Sequence, residues 1–211
     1  MRVIGTVGLP GSGKGEAAAV AEAAGVPVVV MGDVIREACR ERGLDPAEHH
    51  GRIAGAPREE QGADAIAART LPRVREAVRE SDQDVVVVDG LRSTVELETF
   101  REAFGESFTL LAVRAPFEVR AERLGDRGRD DSDADLAALR ERDAREIDLG
   151  LDETMARADV TVDNTRSPAS FRDPVRAVPN ADTSAPEPDR TESTDGGSPG
   201  YTASTAAARR R

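Results

Sequence analysis

The stretch Gly8-Leu9-Pro10-Gly11-Ser12-Gly13-Lys14-Gly15 constrains this chain more than any other feature. It follows a β-branched run, Val3 to Val7, and precedes Glu16 to Ala24, an alanine-rich stretch that reads as a helix. Glycines at this spacing let the backbone curl until successive N–H groups point inward, and the following helix adds its positive N-terminal end. Such a loop cradles phosphate, and Lys14 brings a mobile point charge to the outer phosphates. The GxxxxGK spacing is complete, whereas a dinucleotide fingerprint counted from Gly11 needs glycine where Glu16 stands. ATP held by Gly8 to Gly15 is the expectation, and NAD or FAD is disfavoured.

The usual motif ends in Ser or Thr, whose hydroxyl ligates Mg²⁺, but here Gly15 takes that place and Glu16 follows. An acid so near a polyphosphate is repelled unless a cation lies between them. Glu16 therefore either approaches Mg²⁺ through water or complements the helix dipole while facing solvent. A second acid is better placed. Val85-Val86-Val87-Val88 runs straight into Asp89-Gly90, and a buried apolar strand ending in one carboxylate is the pattern of a magnesium-orienting acid beside a phosphate loop. An Asp-Gly pair is also compatible with a plain turn.

Five short runs, Val3 to Val7, Pro27 to Val30, Asp84 to Val88, Phe108 to Val113 and Asp159 to Val162, alternate with helical stretches. Runs apolar at every position suit strands covered on both faces, so the pattern predicts an α/β fold with a five-stranded parallel sheet between two helical layers. Ligands then lie beyond the carboxyl ends of the strands. One helix is expected over Glu59 to Glu80, with Ala63, Ile66, Ala67, Thr70, Leu71, Val74 and Val78 on one stripe and a kink at Pro72. Gly43 to Gly62 reads as a loop whose His49-His50 pair is inert, and Cys39 as a packing residue.

From Pro179 to Arg211 there is no Val, Ile, Leu, Met, Phe or Trp, so residues 179–211 read as a disordered tail and residues 1–178 as the folded domain. With 40 acids against 29 bases the net charge is −11, which argues against a nucleic-acid binder. No apolar run approaches the roughly 18 residues of a membrane span, and a cytoplasmic protein is expected. All the bases but Lys14 are arginine. A GC-rich genome accounts for that bias but not for the surplus of acids. Adaptation to molar salt accounts for both, since the Debye length there falls to about 3 Å.

The combination of GxPGxGKG with Met31-Gly32-Asp33-Val34-Ile35-Arg36 and Asp89-Gly90-Leu91-Arg92 resembles the nucleoside monophosphate kinases. More closely still, the chain is similar to an archaeal nucleotide-kinase-like P-loop family related to dephospho-coenzyme A kinase. Gly32 to Glu37, Asp89 to Ser93, Arg127 to Asp131, Arg142 to Glu146 and Ala158 to Asn164 carry that likeness. It implies a three-layer P-loop NTPase fold, with Arg36 and Arg92 binding an acceptor phosphate and Asp33 orienting their helix or capping it. Arg58 is a further candidate for the site. Departures leave the acceptor's identity open, because kinases of AMP carry Pro before the arginine of the Asp-Gly motif and Thr where Glu16 stands.

Arg114 to Asp131 resembles the lid of such kinases, and Arg123 and Arg127 are its expected catalytic cations, closing over the transferred group with Lys14, Asp89 and Arg92. From Arg114 to Arg145 there are eight arginines and nine acids, so a solvated charged surface is the competing reading. Helical geometry adds one expectation. At 100° per residue Asp143 falls about 20° from Leu136, within the apolar stripe of its helix. A carboxylate there needs a partner, either Arg140 or an arginine of the lid. The expected activity is Mg²⁺-dependent transfer of the ATP γ-phosphate to a small nucleotide-like or dephospho-coenzyme A-like acceptor, with Asp33 or Asp89 taking a proton if that acceptor is a hydroxyl. A regulatory ATP-hydrolysing switch is the alternative.

Overall fold

In the computed structural model each of the five apolar runs is a strand: β1 (Arg2–Val7), β2 (Val28–Val30), β3 (Val85–Leu91), β4 (Phe108–Arg114) and β5 (Val160–Asp163). They pair in parallel in the order β2-β3-β1-β4-β5. The structure describes residues 1–127 and 136–165, all within one compact unit, Met1–Ala181. The side chains of His50 and Arg127, residues 128–131 of the expected lid, and the tail 179–211 lie outside the described residues.

The connections are helical: α1 (Lys14–Ala23), α2 (Gly32–Glu41), α3 (Pro46–Ile53), α4 (Ala56–Gln61), α5 (Ala65–Glu80), α6 (Thr94–Phe104), α7 (Phe117–Arg127), α8 (Leu136–Asp148) and α9 (Leu151–Ala156). Alternate strand residues feed two cores, as the period of two in a strand requires. Val3, Val86, Val88 and Leu110 pack with Val34, Ile66, Leu97, Phe100 and Leu151 of α2, α5, α6 and α9. Ile4, Val87, Leu111 and Val162 pack on the other face with Ala17 and Val20 of α1.

Two local expectations are corrected. The helix expected from Glu59 to Glu80 is divided between α4 and α5, because Gly62 takes a φ of 110° that ends the first helix, and Ala63 is exposed in the link. α5 itself continues through Pro72. Gly43 to Gly62 is not a loop. It carries α3 and α4, with Asp45 capping α3 by accepting from the Ala47 N–H at 2.8 Å. Cys39 is fully buried, as a packing residue should be.

Candidate functional site

The phosphate loop connects β1, at the centre of the sheet, to the N-terminus of α1. Sterics demand its glycines. A Cβ on Gly8 would stand 2.4 Å from the Val113 carbonyl oxygen, and Gly13, with φ 109°, leads the chain into α1. No side chain caps α1, so its first N–H groups remain directed at the loop. Nothing lies within 4 Å of where a Gly15 Cβ would be, and the Ser12 Oγ is buried without a hydrogen-bond partner.

Lys14 Nζ donates to the carbonyls of Gly8, at 2.5 Å, and Leu9, at 3.3 Å. Its pKa is lowered to about 8, first by burial, with Asp89 and Glu146 raising it and Arg92 and Arg142 lowering it. Those four charges thus act on the ammonium in the loop. Asp89 arrives from β3, which neighbours β1, and is paired in register with Thr6. The register shifts just beyond, at Gly90, whose φ is 103°. This bulge leaves Gly90, the residue after the carboxylate, outside the ladder before pairing resumes between Leu91 and Val7. The buried Thr6 hydroxyl donates to Asp89 Oδ1 at 2.6 Å and accepts the Gly90 N–H at 3.3 Å. The carboxylate is thereby fixed in orientation while Oδ2 stays available.

The loop is braced by long-range contacts that no local pattern announces. Arg120 of α7 donates to the Pro10 carbonyl at 3.0 Å and makes a two-pronged contact with Asp143 of α8, at 2.9 and 2.6 Å. Asp143 therefore does pair with an arginine of the expected lid segment, while Arg140 stands over the Phe117 ring, 4.8 Å from its centroid. Asn164, just beyond β5 and buried, donates to the Ser12 carbonyl at 2.8 Å. Its own carbonyl receives Arg123 at 2.9 Å. Arg123, expected as a catalytic cation, is thus engaged in bracing the loop.

The remaining candidates lie on the β2 and β3 side. Asp33 sits in the first turn of α2 without capping it, Met31 being the N-cap, and pairs with Arg36 at 2.7 Å. Arg92, following β3, pairs with Glu146 of α8, and its N–H is held at 2.8 Å by Glu96, which is completely buried. Glu96 also receives Arg58 at 2.5 Å, joining α4 to the Arg92 loop. Glu16 lies in the first turn of α1, half-buried. Glu96, Glu146, Asn164 and Arg120 are site residues that the sequence does not single out. Glu146 and Asn164 lie in segments that carry the family likeness, and Glu96 and Arg120 show only as polar residues close to apolar ones. On the opposite side of the loop, beyond β4 and β5, a cavity of about 350 Å³ is lined by Leu9, Ser12, Val113, Pro116, Asp163 and Thr165.

The donor set suits a nucleoside polyphosphate and a hard divalent cation: uncapped helix N–H groups, one ammonium and an oriented carboxylate. Among the described residues no group of three or more His, Cys, Asp or Glu side chains gathers as an all-protein cage. Mg²⁺ needs none, since it keeps waters and is bound through one or two carboxylates plus phosphate. No helix among the described residues is long and apolar enough to cross a membrane.

Residues 7–140 match the AAA domain family. The chain is 55% identical over 183 residues to a UPF0200 protein of Halobacterium salinarum, covering 87% of this chain and 95% of that one. A UPF0200/UPF0201 protein of Archaeoglobus fulgidus is 48% identical over 179 residues, which are 84% of this chain and 55% of that longer one. Among solved structures, TT1252 from Thermus thermophilus aligns with a TM-score of 0.57 at 21% identity, over 85% of this chain and 96% of its own. A gluconokinase from Sinorhizobium meliloti aligns at 0.52 and 21%, over 83% and 90%. These likenesses agree with the α/β P-loop fold, and the family supports nucleotide binding.

Proposed function

The chain belongs to the AAA domain family and to the archaeal UPF0200 proteins, and from that premise we propose that it is an ATP-dependent phosphotransferase. The observation that carries this reading is the Lys14 ammonium, held at the mouth of the loop and acted on by the charges of Asp89, Arg92, Glu146 and Arg142. Backbone N–H groups of Gly11 to Gly15 and Lys14 hold the β- and γ-phosphates. With the Asp89 and Arg92 side reserved for the acceptor, the nucleoside lies in the cavity beyond β4 and β5.

Asp89 would hold Mg²⁺, with Glu16 reaching it through water, and the ion would supply neutralisation of the charge that develops on the phosphates. Arg120 and Asn164 keep the loop in its phosphate-binding curve by holding the Pro10 and Ser12 carbonyls away from the anion. Arg36 and Arg92 bound the acceptor side, and Arg123 and Arg127 belong to the segment that excludes water. Positioning and charge account for such catalysis without a protein nucleophile. Residues 1–178 are the catalytic unit, and the acidic surface belongs to a cytoplasm at molar salt.

The test supplies ATP and Mg²⁺ in molar KCl with a panel of mononucleotides, dephospho-coenzyme A, gluconate or water alone. Phosphorylated product formed only with an acceptor supports the reading. ADP release indifferent to acceptor, with no phosphorylated product, refutes it in favour of a hydrolysing switch.

A further inference from the structure

The three arginines assigned to the acceptor side, Arg36, Arg58 and Arg92, each already have a carboxylate. Arg36 is paired with Asp33 at 2.7 Å, Arg58 with Glu96 at 2.5 Å, and Arg92 with Glu146. The last two acids are buried, the Glu96 side chain completely and that of Glu146 to 7% exposure. A site that closes on a phosphate needs a surplus of positive charge, and these three arginines, each matched by an acid, supply none themselves. A phosphate dianion brought to Arg92 meets the Glu146 carboxylate on the same guanidinium, and like charges a few ångströms apart repel strongly where water is excluded.

A neutral hydroxyl has the opposite fit, because it both donates and accepts. It takes a hydrogen bond from a guanidinium N–H that the carboxylate leaves over, and it gives one to a carboxylate oxygen. Glu146 has such an oxygen: its Oε2 is buried and has no hydrogen-bond partner, a costly state for a charged group. Through Oε1 the same carboxylate holds Arg92, so this unsatisfied acceptor lies on the acceptor side, and its charge also acts on Lys14. The donor side contrasts with it, presenting uncapped helix N–H groups and an ammonium.

We propose that the acceptor is an uncharged hydroxylated group and that Glu146, by neutralising Arg92, is the residue that excludes a phosphate acceptor. This rests on the phosphotransferase reading and narrows it to alcohols, displacing the expectation that Arg36 and Arg92 clamp a phosphate. In the transfer the acceptor oxygen forms the new bond to the γ-phosphorus. The bond from phosphorus to the β–γ bridging oxygen breaks with its electron pair left on ADP, and the hydroxyl proton is released to water. Proton loss is late in a loose transition state, so no strong base is required.

The experiment uses the full chain in molar KCl. A non-hydrolysable ATP analogue with Mg²⁺ is titrated first by calorimetry, and inorganic phosphate is then titrated into the filled protein. Phosphate is expected to bind Glu146→Gln at least about tenfold more tightly than the parent. Equal or weaker binding by the variant overturns the proposal. A second arm needs no variant: γ-labelled ATP is offered ribonucleosides and polyols, or ribonucleoside monophosphates. Label in a phosphate ester stable to hot acid is expected. Label in an acid-labile nucleoside diphosphate overturns the proposal while leaving the phosphotransferase reading intact. Failure of the analogue to bind refutes the donor site, and this inference with it.

Discussion

Asp143→Ala removes one half of a buried ion pair whose side chains are 4% exposed for Arg120 and 12% for Asp143. What remains is a guanidinium enclosed by protein, with the Phe117 ring centroid 5.5 Å away and two hydrogen bonds, to the Pro10 carbonyl at 3.0 Å and the Ala115 carbonyl at 3.3 Å. Breaking such a pair from one side costs about 3–5 kcal/mol, and the two surviving carbonyl bonds place this case near the lower figure. For a domain of this size about 3 kcal/mol lowers the melting temperature by ~6–12 °C. Denaturant unfolding followed by circular dichroism reads the loss, and titration of an ATP analogue reads its consequence. Arg120 is the strut under Pro10, so affinity for the analogue should fall by roughly tenfold, about 1.4 kcal/mol. Two controls separate this mechanism from general damage. The destabilisation should be nearly constant between about 0.5 and 3 M KCl, because a buried pair is little screened. The double variant Arg120→Met with Asp143→Leu should recover most of the stability, since no charge is then left without a partner. A single variant that loses less than about 1 kcal/mol, or a loss that vanishes at high salt, refutes the reasoning.

Three further outcomes follow from other contacts. Thr6→Val, which keeps the shape of a buried strand residue but frees Asp89, should raise the Mg²⁺ concentration needed for half-maximal binding of the ATP analogue by roughly tenfold, while Thr6→Ser keeps the parental midpoint. Asn164→Leu leaves the Ser12 carbonyl without its partner while Arg123 keeps the backbone carbonyl of residue 164, and should cost about 1–3 kcal/mol in urea unfolding together with weaker nucleotide binding. Burial lowers Lys14 from 10.5 to about 8, so between those values the folded chain has lost a proton that the unfolded chain retains. Stability of the parent should therefore rise with pH through that window relative to Lys14→Ala. Bound phosphate restores the ammonium, so nucleotide binding near pH 8.5–9 should take up a proton, and calorimetry in buffers of different ionisation enthalpy measures it.

The strands and the phosphate loop were legible in the amino-acid sequence because their causes are local. Val85 to Val88 is apolar at every position since β3 is covered on both faces, and the Gly8 to Gly15 spacing encodes a backbone curl that needs no distant residue. Asp143 was legible in part: its place in an apolar stripe required an arginine but did not say which one. Helix continuity misled at Gly62, where a positive φ divided one apparent helix into two.

Tertiary structure alone decided the partners. Arg120 meets Asp143 across 23 residues, Arg58 meets Glu96 across 38, Arg92 meets Glu146 across 54 and Asn164 meets Ser12 across 152. Pairs so far apart leave no periodic trace, because each residue's spacing to its own neighbours is indifferent to what the fold places opposite it. The physical weight of that difference falls on the acceptor side. As residues in a chain, Arg36, Arg58 and Arg92 are three cations suited to phosphate. In the fold each is held by a carboxylate, and the same three side chains form a charge-balanced wall.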